Sequence, residues 1–129
     1  MENGALGKVY QDSQVIVRQG EAGDCMYVIQ EGRVAVIQEK DGREVPLALL
    51  GKGDFFGEMA LFSHEVRSST VRAQGMVRVL TVDKKTFMRR VHEDPSLAFR
   101  IVQQMSQRIR EMDAELARIK GEAVVLGRK

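Results

Sequence analysis

The feature that most limits what this chain can fold into is a train of short β-prone runs between residues 9 and 83, each cut off by turn residues. The runs occupy 15–18, 26–30, 34–38, 45–50, 69–73 and 77–82. The punctuation falls at Gly20 with Gly23-Asp24, at Gly32, at Asp41-Gly42, at Gly51 with Gly53-Asp54, and at Gly75. Short strands at this spacing build sandwiches or barrels, not parallel sheets with crossover helices. Asp41-Gly42 between two apolar runs is a hairpin signal, because a tight turn there needs positive φ. Gly32 also separates two runs, so a second tight reversal is expected beside it. In the last run Val77, Val79 and Thr81 share one face, and Arg78, Leu80 and Val82 the other. Pro46 marks its run as an edge strand or a strand start. The expected fold is mainly β with C-terminal helices: a closed or nearly closed antiparallel jelly-roll barrel (a double-stranded β-helix), then a short helix and one long helix.

The helical part begins at residues 84–90, with Asp83 as N-cap. Asp94-Pro95 opens a second helix, aspartate capping and proline in the first turn. It is expected to run over residues 95–120 and stop at Gly121. Val102, Met105, Ile109, Met112, Leu116 and Ile119 follow one another at spacings of 3, 4, 3, 4 and 3. This is an a/d seam, continued back to Ala98 and forward to Ala123 and Leu126. Phe99 and Ile101 fall off the seam, free to face the barrel while the seam meets a partner helix. A parallel two-helix coiled coil between two subunits is expected. The organisation is therefore a barrel over 1–94, a dimerisation helix over 95–120 and a tail over 121–129.

Composition narrows the functional classes. At 129 residues, 43% hydrophobic and 29% charged, the chain reads as one globular domain with a real core. No apolar run approaches the roughly 20 residues of a membrane span, and the N-terminus lacks a secretory pattern, so a cytoplasmic protein is expected. The single cysteine, Cys25, excludes an internal disulfide and reads as a buried core thiol. The net charge of +2 is scattered along the chain, with no tryptophan, which argues against a nucleic-acid surface on this chain. His64 reads as a loop residue and His92 as the end of a helix. Two isolated histidines cannot build the multi-histidine metal centre of a jelly-roll enzyme, so no metal and no catalysis are expected.

One stretch breaks the strand pattern. Phe56-Gly57-Glu58-Met59-Ala60-Leu61 sets good helix formers after a glycine, and Arg67-Ser68-Ser69-Thr70 follows nine residues after Glu58. Free N–H groups at the start of a helical turn, closed over by an arginine fork, suit an anion. A carboxylate beside that anion makes sense if it accepts a hydrogen bond from a hydroxyl of the same ligand. Phosphate and ribose together describe a nucleotide.

These residues, with Val71-Arg72-Ala73 after them, resemble the phosphate-binding cassette of cyclic-nucleotide-binding domains, here spanning 56–73. The interval from Glu58 to Arg67 is similar to the gap-free form in protein kinase A regulatory subunits. Residues 10–24 and 26–29 resemble the family's first strands, and residues 95–109 resemble the long helix of bacterial catabolite activators. The resemblance covers about residues 9–115. It implies that Arg67 pairs with the cyclic phosphate, Glu58 takes the ribose 2′-hydroxyl, and the backbone around Phe56, Gly57, Met59 and Ala60 supplies donors. Ser68 and Ser69 would flank the phosphate. A serine at 68, where cGMP-selective members can carry threonine, leaves the base preference open between cAMP and cGMP, leaning toward cAMP. Arg108 would reach Glu58 or the ligand. Met112 and Asp113 stand where catabolite activators carry Thr and Ser for the purine, so Met112 is expected to cap the base by apolar contact. Val66 replaces a frequent proline and Ser69 a frequent alanine.

The function this implies is that of a sensor domain in which ligand repositions the C-terminal helix. Its partners would be a cyclic nucleotide and a second copy of the chain. The alternatives are the sensing part of a catabolite-activator-type regulator whose DNA-binding domain is absent, or a related barrel that binds another small anion or haem.

Overall fold

The computed structural model describes residues 7–63 and 66–127, with residues 62 and 122–127 described through their backbone. In chain order the elements are β1 (Lys8–Tyr10), β2 (Val15–Val17), β3 (Cys25–Lys40), β4 (Arg43–Leu50), β5 (Phe55–Phe56), α1 (Met59–Ser63), β6 (Thr70–Asp83), α2 (Lys84–Glu93) and α3 (Ser96–Gly127). The chain divides into two compact units, Met1–Arg89 and Arg90–Lys129.

Two long strands form the spine of the first unit. β3 and β6 pair antiparallel from Cys25↔Asp83 to Ile37↔Thr70. On the outer side of β6, β1 pairs near Val77–Val79 and β2 near Val71–Arg72. On the outer side of β3, β5 pairs with Tyr27–Val28 and β4 with the stretch from Val34 to Lys40. The six strands thus make two four-stranded halves that share β3 and β6, the arrangement of a β-roll. The sheet is not closed: its hydrogen-bonded path runs β1-β6-β3-β4 and ends there. A closed barrel would need a strand joining β1 to β4, and among the described residues three-residue β1 finds its partner only in β6.

Gly32 corrects a second expectation. No reversal occurs there; Gly32 lies within β3, a single strand of 16 residues. Register slips between Ile29, Glu31 and Arg33, as Glu31 pairs with Arg78 but Arg33 with Gln74. Such bulges bend a strand without ending it. Gly32 has φ 88°, and a Cβ on it would lie 2.4 Å from the Met76 carbonyl oxygen, so a close backbone approach and a left-handed conformation both demand glycine. The Asp41-Gly42 turn forms as expected, with φ 54° and 76° and Lys40 paired to Arg43. Pro46 lies on the outermost strand, beside a register shift, where its missing N–H breaks no ladder.

The core sits inside the roll. Val17, Ile29, Val34, Phe56, Val71, Ala73, Val77 and Val79 form one buried cluster, with Tyr10, Ile16, Tyr27, Val36 and Leu50 packed against it. Alternation along β6 places Val77 and Val79 in that cluster, both with no exposed surface.

The caps follow the sequence. Asp83 Oδ1 accepts from Thr86 N at 2.7 Å, and Asp94 Oδ1 accepts from Ser96 N at 3.1 Å with Pro95 between them. These bonds hold both carboxyls below the usual aspartate range; for Asp83 the Thr86 backbone N–H is the main cause, for Asp94 the Ser96 hydroxyl. α3 passes through Gly121 and continues to Gly127, six residues beyond the expected stop. Gly121 does not adopt the left-handed conformation of a helix-ending glycine. Inside a helix a glycine costs only about 1 kcal/mol relative to alanine, which the good helix formers around it offset. On α3 the seam residues Val102, Ile109, Met112, Leu116 and Ile119 are exposed and Met105 is half-buried. Off the seam, Ile101 is buried and Phe99 is exposed. No helix among the described residues is long and apolar enough to cross a membrane.

Candidate ligand-binding site

The site is assembled by two turns in the first unit. After β5 the chain turns at Gly57, and Ala60 N and Leu61 N donate to the carbonyls of Gly57 and Glu58 to begin the five-residue α1. Ala60 and Leu61 are buried while Met59 is exposed, so this turn is anchored on its inner face. Ser63 Oγ donates back to the Met59 carbonyl at 3.0 Å. The second turn, around residues 20–23, grips the arginine segment. Arg67 N donates to Glu21 O and Gly20 N donates to Arg67 O, both at 2.8 Å, and Ala22 bridges Val66.

Arg67 is buried, with 9% of its surface exposed. Its Nη1 donates to the Gly57 carbonyl at 3.1 Å and its Nη2 to the Cys25 carbonyl at 3.0 Å, with Cys25 Sγ at 3.8 Å. Its Cζ stands 5.7 Å from the centre of the Tyr27 ring, which stacks on Phe56 at 5.0 Å. Among the described residues no carboxylate lies within ion-pair distance of Arg67. A guanidinium this enclosed, oriented by neutral groups, keeps further N–H donors, a chemistry that suits an anion. Glu58, 8% exposed, lies one residue from Gly57, whose carbonyl holds that guanidinium. The surroundings are apolar enough to push the Tyr27 phenol well above its ordinary range, burial first and the Cys25 thiol second.

Of the residues expected from sequence, Phe56, Gly57, Glu58, Met59, Ala60, Arg67, Ser68 and Ser69 all belong to these two turns and their flanks. Phe56 is a core residue beneath the site, and Met59 points to solvent. Ser68 is exposed and Ser69 half-buried. The side-chain hydroxyl held in place is instead that of Thr70, which accepts from Gln19 N at 3.0 Å. Arg108 and Met112 lie on α3, in the second unit. His64 lies outside the described residues. Cys25 was expected as a plain core thiol; it is half-buried and touches the arginine. That role, with those of Gly23 and Tyr27, is set by contacts spanning 40 or more residues of chain. The only sequence signal was their place at the turn and strand start of the matched motif. Among the described residues no group of three or more His, Cys, Asp and Glu is placed to hold a metal ion.

Comparison with known proteins defines the class. Residues 7–94 match the model of the cyclic nucleotide-binding domain, and the chain belongs to that family of regulatory domains. It is 42% identical over 85 residues to a cAMP-dependent protein kinase type II regulatory subunit of Drosophila melanogaster, covering 65% of this chain and 22% of that protein. Among solved structures it resembles the Thermus thermophilus catabolite activator protein, with a TM-score of 0.78 and 29% identity over 88% of this chain and 54% of that one. It also resembles the EAL enzyme Bd1971 in its cAMP-bound form (TM-score 0.60, 36% identity, 92% of this chain and 32% of that one). The cGMP-bound form of that enzyme gives a TM-score of 0.61 and 38% identity over 80% of this chain and 27% of that one. The chain thus spans about a fifth of the length of the kinase subunit and about half of the activator.

Proposed function

We propose that this chain is a cAMP-binding sensor module without catalytic activity, acting in the cytoplasm. The observation that carries the reading is Arg67: a buried guanidinium oriented by two carbonyls and, among the described residues, without a carboxylate partner. The cyclic phosphate would complete its hydrogen bonds and its charge. Glu58 would accept from the ribose 2′-hydroxyl, as the family resemblance implies, with backbone around Gly57 and Ala60 and the Ser68-Ser69 pair flanking the phosphate. Ser68 in place of threonine favours cAMP over cGMP. Arg108 and Met112 would join from α3, Met112 against the base.

Coupling to output would run through α3. Val102, Met105, Ile109, Met112, Leu116 and Ile119 form a seam suited to a second copy of the chain. In a parallel pair the positions flanking that seam set Arg108 opposite the partner's Asp113 and Glu115 opposite the partner's Lys120, opposite charges both times. Ligand that binds better to one placement of the helix shifts the population toward it, and an effector elsewhere reads the shift.

Calorimetric titration tests the site. Wild type should bind cAMP more tightly than cGMP and either far more tightly than 5′-AMP, whose phosphate is not cyclised. Arg67→Ala should lose roughly a hundredfold or more. Equal affinities for wild type and Arg67→Ala would sink the assignment.

A further inference from the structure

Gly23 is not a glycine by reason of its backbone, since it lacks the positive φ seen at Gly20, Gly32, Gly42, Gly53, Gly57 and Gly75. Its surroundings are what forbid a side chain. A Cβ on Gly23 would lie 2.3 Å from Cζ, Nε and Nη2 of Arg67 at once, whereas at Gly20, Gly42, Gly53 and Gly75 it would meet nothing within 4 Å. The guanidinium therefore lies directly on the main chain of Gly23.

Arg67 cannot yield cheaply. Its backbone is tied on both sides to the Gly20-Glu21 turn, and its two Nη atoms are committed to carbonyls on different segments. A shift large enough to relieve a Cβ must disturb a guanidinium that is bonded to both carbonyls. Gly57 closes the slot from another direction, where a Cβ would come 2.7 Å from Nη1.

We propose that Gly23 is a positioning residue for the anion: its missing side chain is the slot that fixes where the Arg67 guanidinium meets the phosphate. The proposal rests on the reading of Arg67 as the phosphate-binding group. It assigns ligand affinity to a residue 44 positions away in sequence that offers no side chain of its own.

The test is a double-mutant cycle on the full chain: wild type, Gly23→Ala, Arg67→Ala and the double variant, each titrated with cAMP by calorimetry and each melted without ligand. Gly23→Ala should weaken cAMP binding roughly tenfold or more and lower Tm in the wild-type background. In the Arg67→Ala background, where the space is vacant, it should change neither. A general need for glycine in the turn would lower Tm equally in both backgrounds, and that result overturns the proposal. So does wild-type affinity in Gly23→Ala when Arg67→Ala binds weakly. Unchanged affinity in Arg67→Ala itself overturns the phosphate reading, and with it the ligand role of Gly23; the two failures are distinguished by that one variant.

Discussion

Enclosing a guanidinium as fully as that of Arg67 costs several kcal/mol of desolvation, and two neutral carbonyls return only part of it. An anion would offset the remainder, as the proposed phosphate contact requires, and the same logic extends to the neighbouring Glu58. If Glu58 reads the ribose 2′-hydroxyl, Glu58→Ala should weaken cAMP roughly tenfold to a hundredfold, the range of a hydrogen bond to a charged group. Competition binding with 2′-deoxy-cAMP checks it: the deoxy ligand should be weak on wild type and no weaker on Glu58→Ala. Additive losses would move the hydroxyl to another partner. Glu58 and Arg67 were readable as a proposed pair through the resemblance of the motif around them, whose interval is a local property of the chain. Cys25, Tyr27 and Gly23 were not. Each looks like an ordinary member of a turn or strand until the fold brings Arg67 onto it.

At the scale of elements, the two capping aspartates make acid stability a direct readout. Both carboxyls are held below their ordinary range in the folded state, so each contributes stability above about pH 4, lost as pH falls through the depressed folded values. Thermal melts followed by circular dichroism should show a lower Tm at pH 3 than at pH 6. Replacing Asp83 and Asp94 together by Asn keeps the cap acceptors but removes the charge, and should flatten part of that dependence. An unchanged slope would assign acid lability to other carboxylates. The caps themselves were readable because capping is a contact across two or three residues. The bulge at Gly32 was not, since a run, a glycine and a second run is the same string whether the chain reverses or continues. Which occurs is decided by β6, whose own irregularity near Gly75 and Met76 matches that of β3.

At the scale of the whole molecule, the exposed seam of α3 sets the question of assembly. Val102, Ile109, Met112, Leu116 and Ile119 are each about half exposed or more, a heavy apolar load for a helix surface left to water. Sedimentation equilibrium should report a dimer for wild type and a monomer for Ile109→Asp/Leu116→Asp, because a buried unpaired carboxylate at an a position is strongly unfavourable. Circular dichroism of the variant should also lose helix signal, as a long helix without a partner frays. A wild-type monomer would remove the second copy from the proposed coupling and leave the binding site untouched.

What the amino-acid string determined alone is everything carried by short-range physics. That includes the antiparallel β character, the Asp41-Gly42 hairpin, Pro46 at an edge, both helix caps, the apolar spacing along α3, and a motif that resembles a cyclic-nucleotide cassette. Tertiary structure decided what depends on partners distant in sequence. It made one strand of two apparent runs in β3 and again in β6, and left the roll open between β1 and β4. It also seated Arg67 on Gly23 and on the carbonyls of Cys25 and Gly57. The division has one physical cause: periodicity and capping are settled within a turn or two of chain, whereas register, closure and the slot around a buried charge are settled only when remote segments compete for the same space.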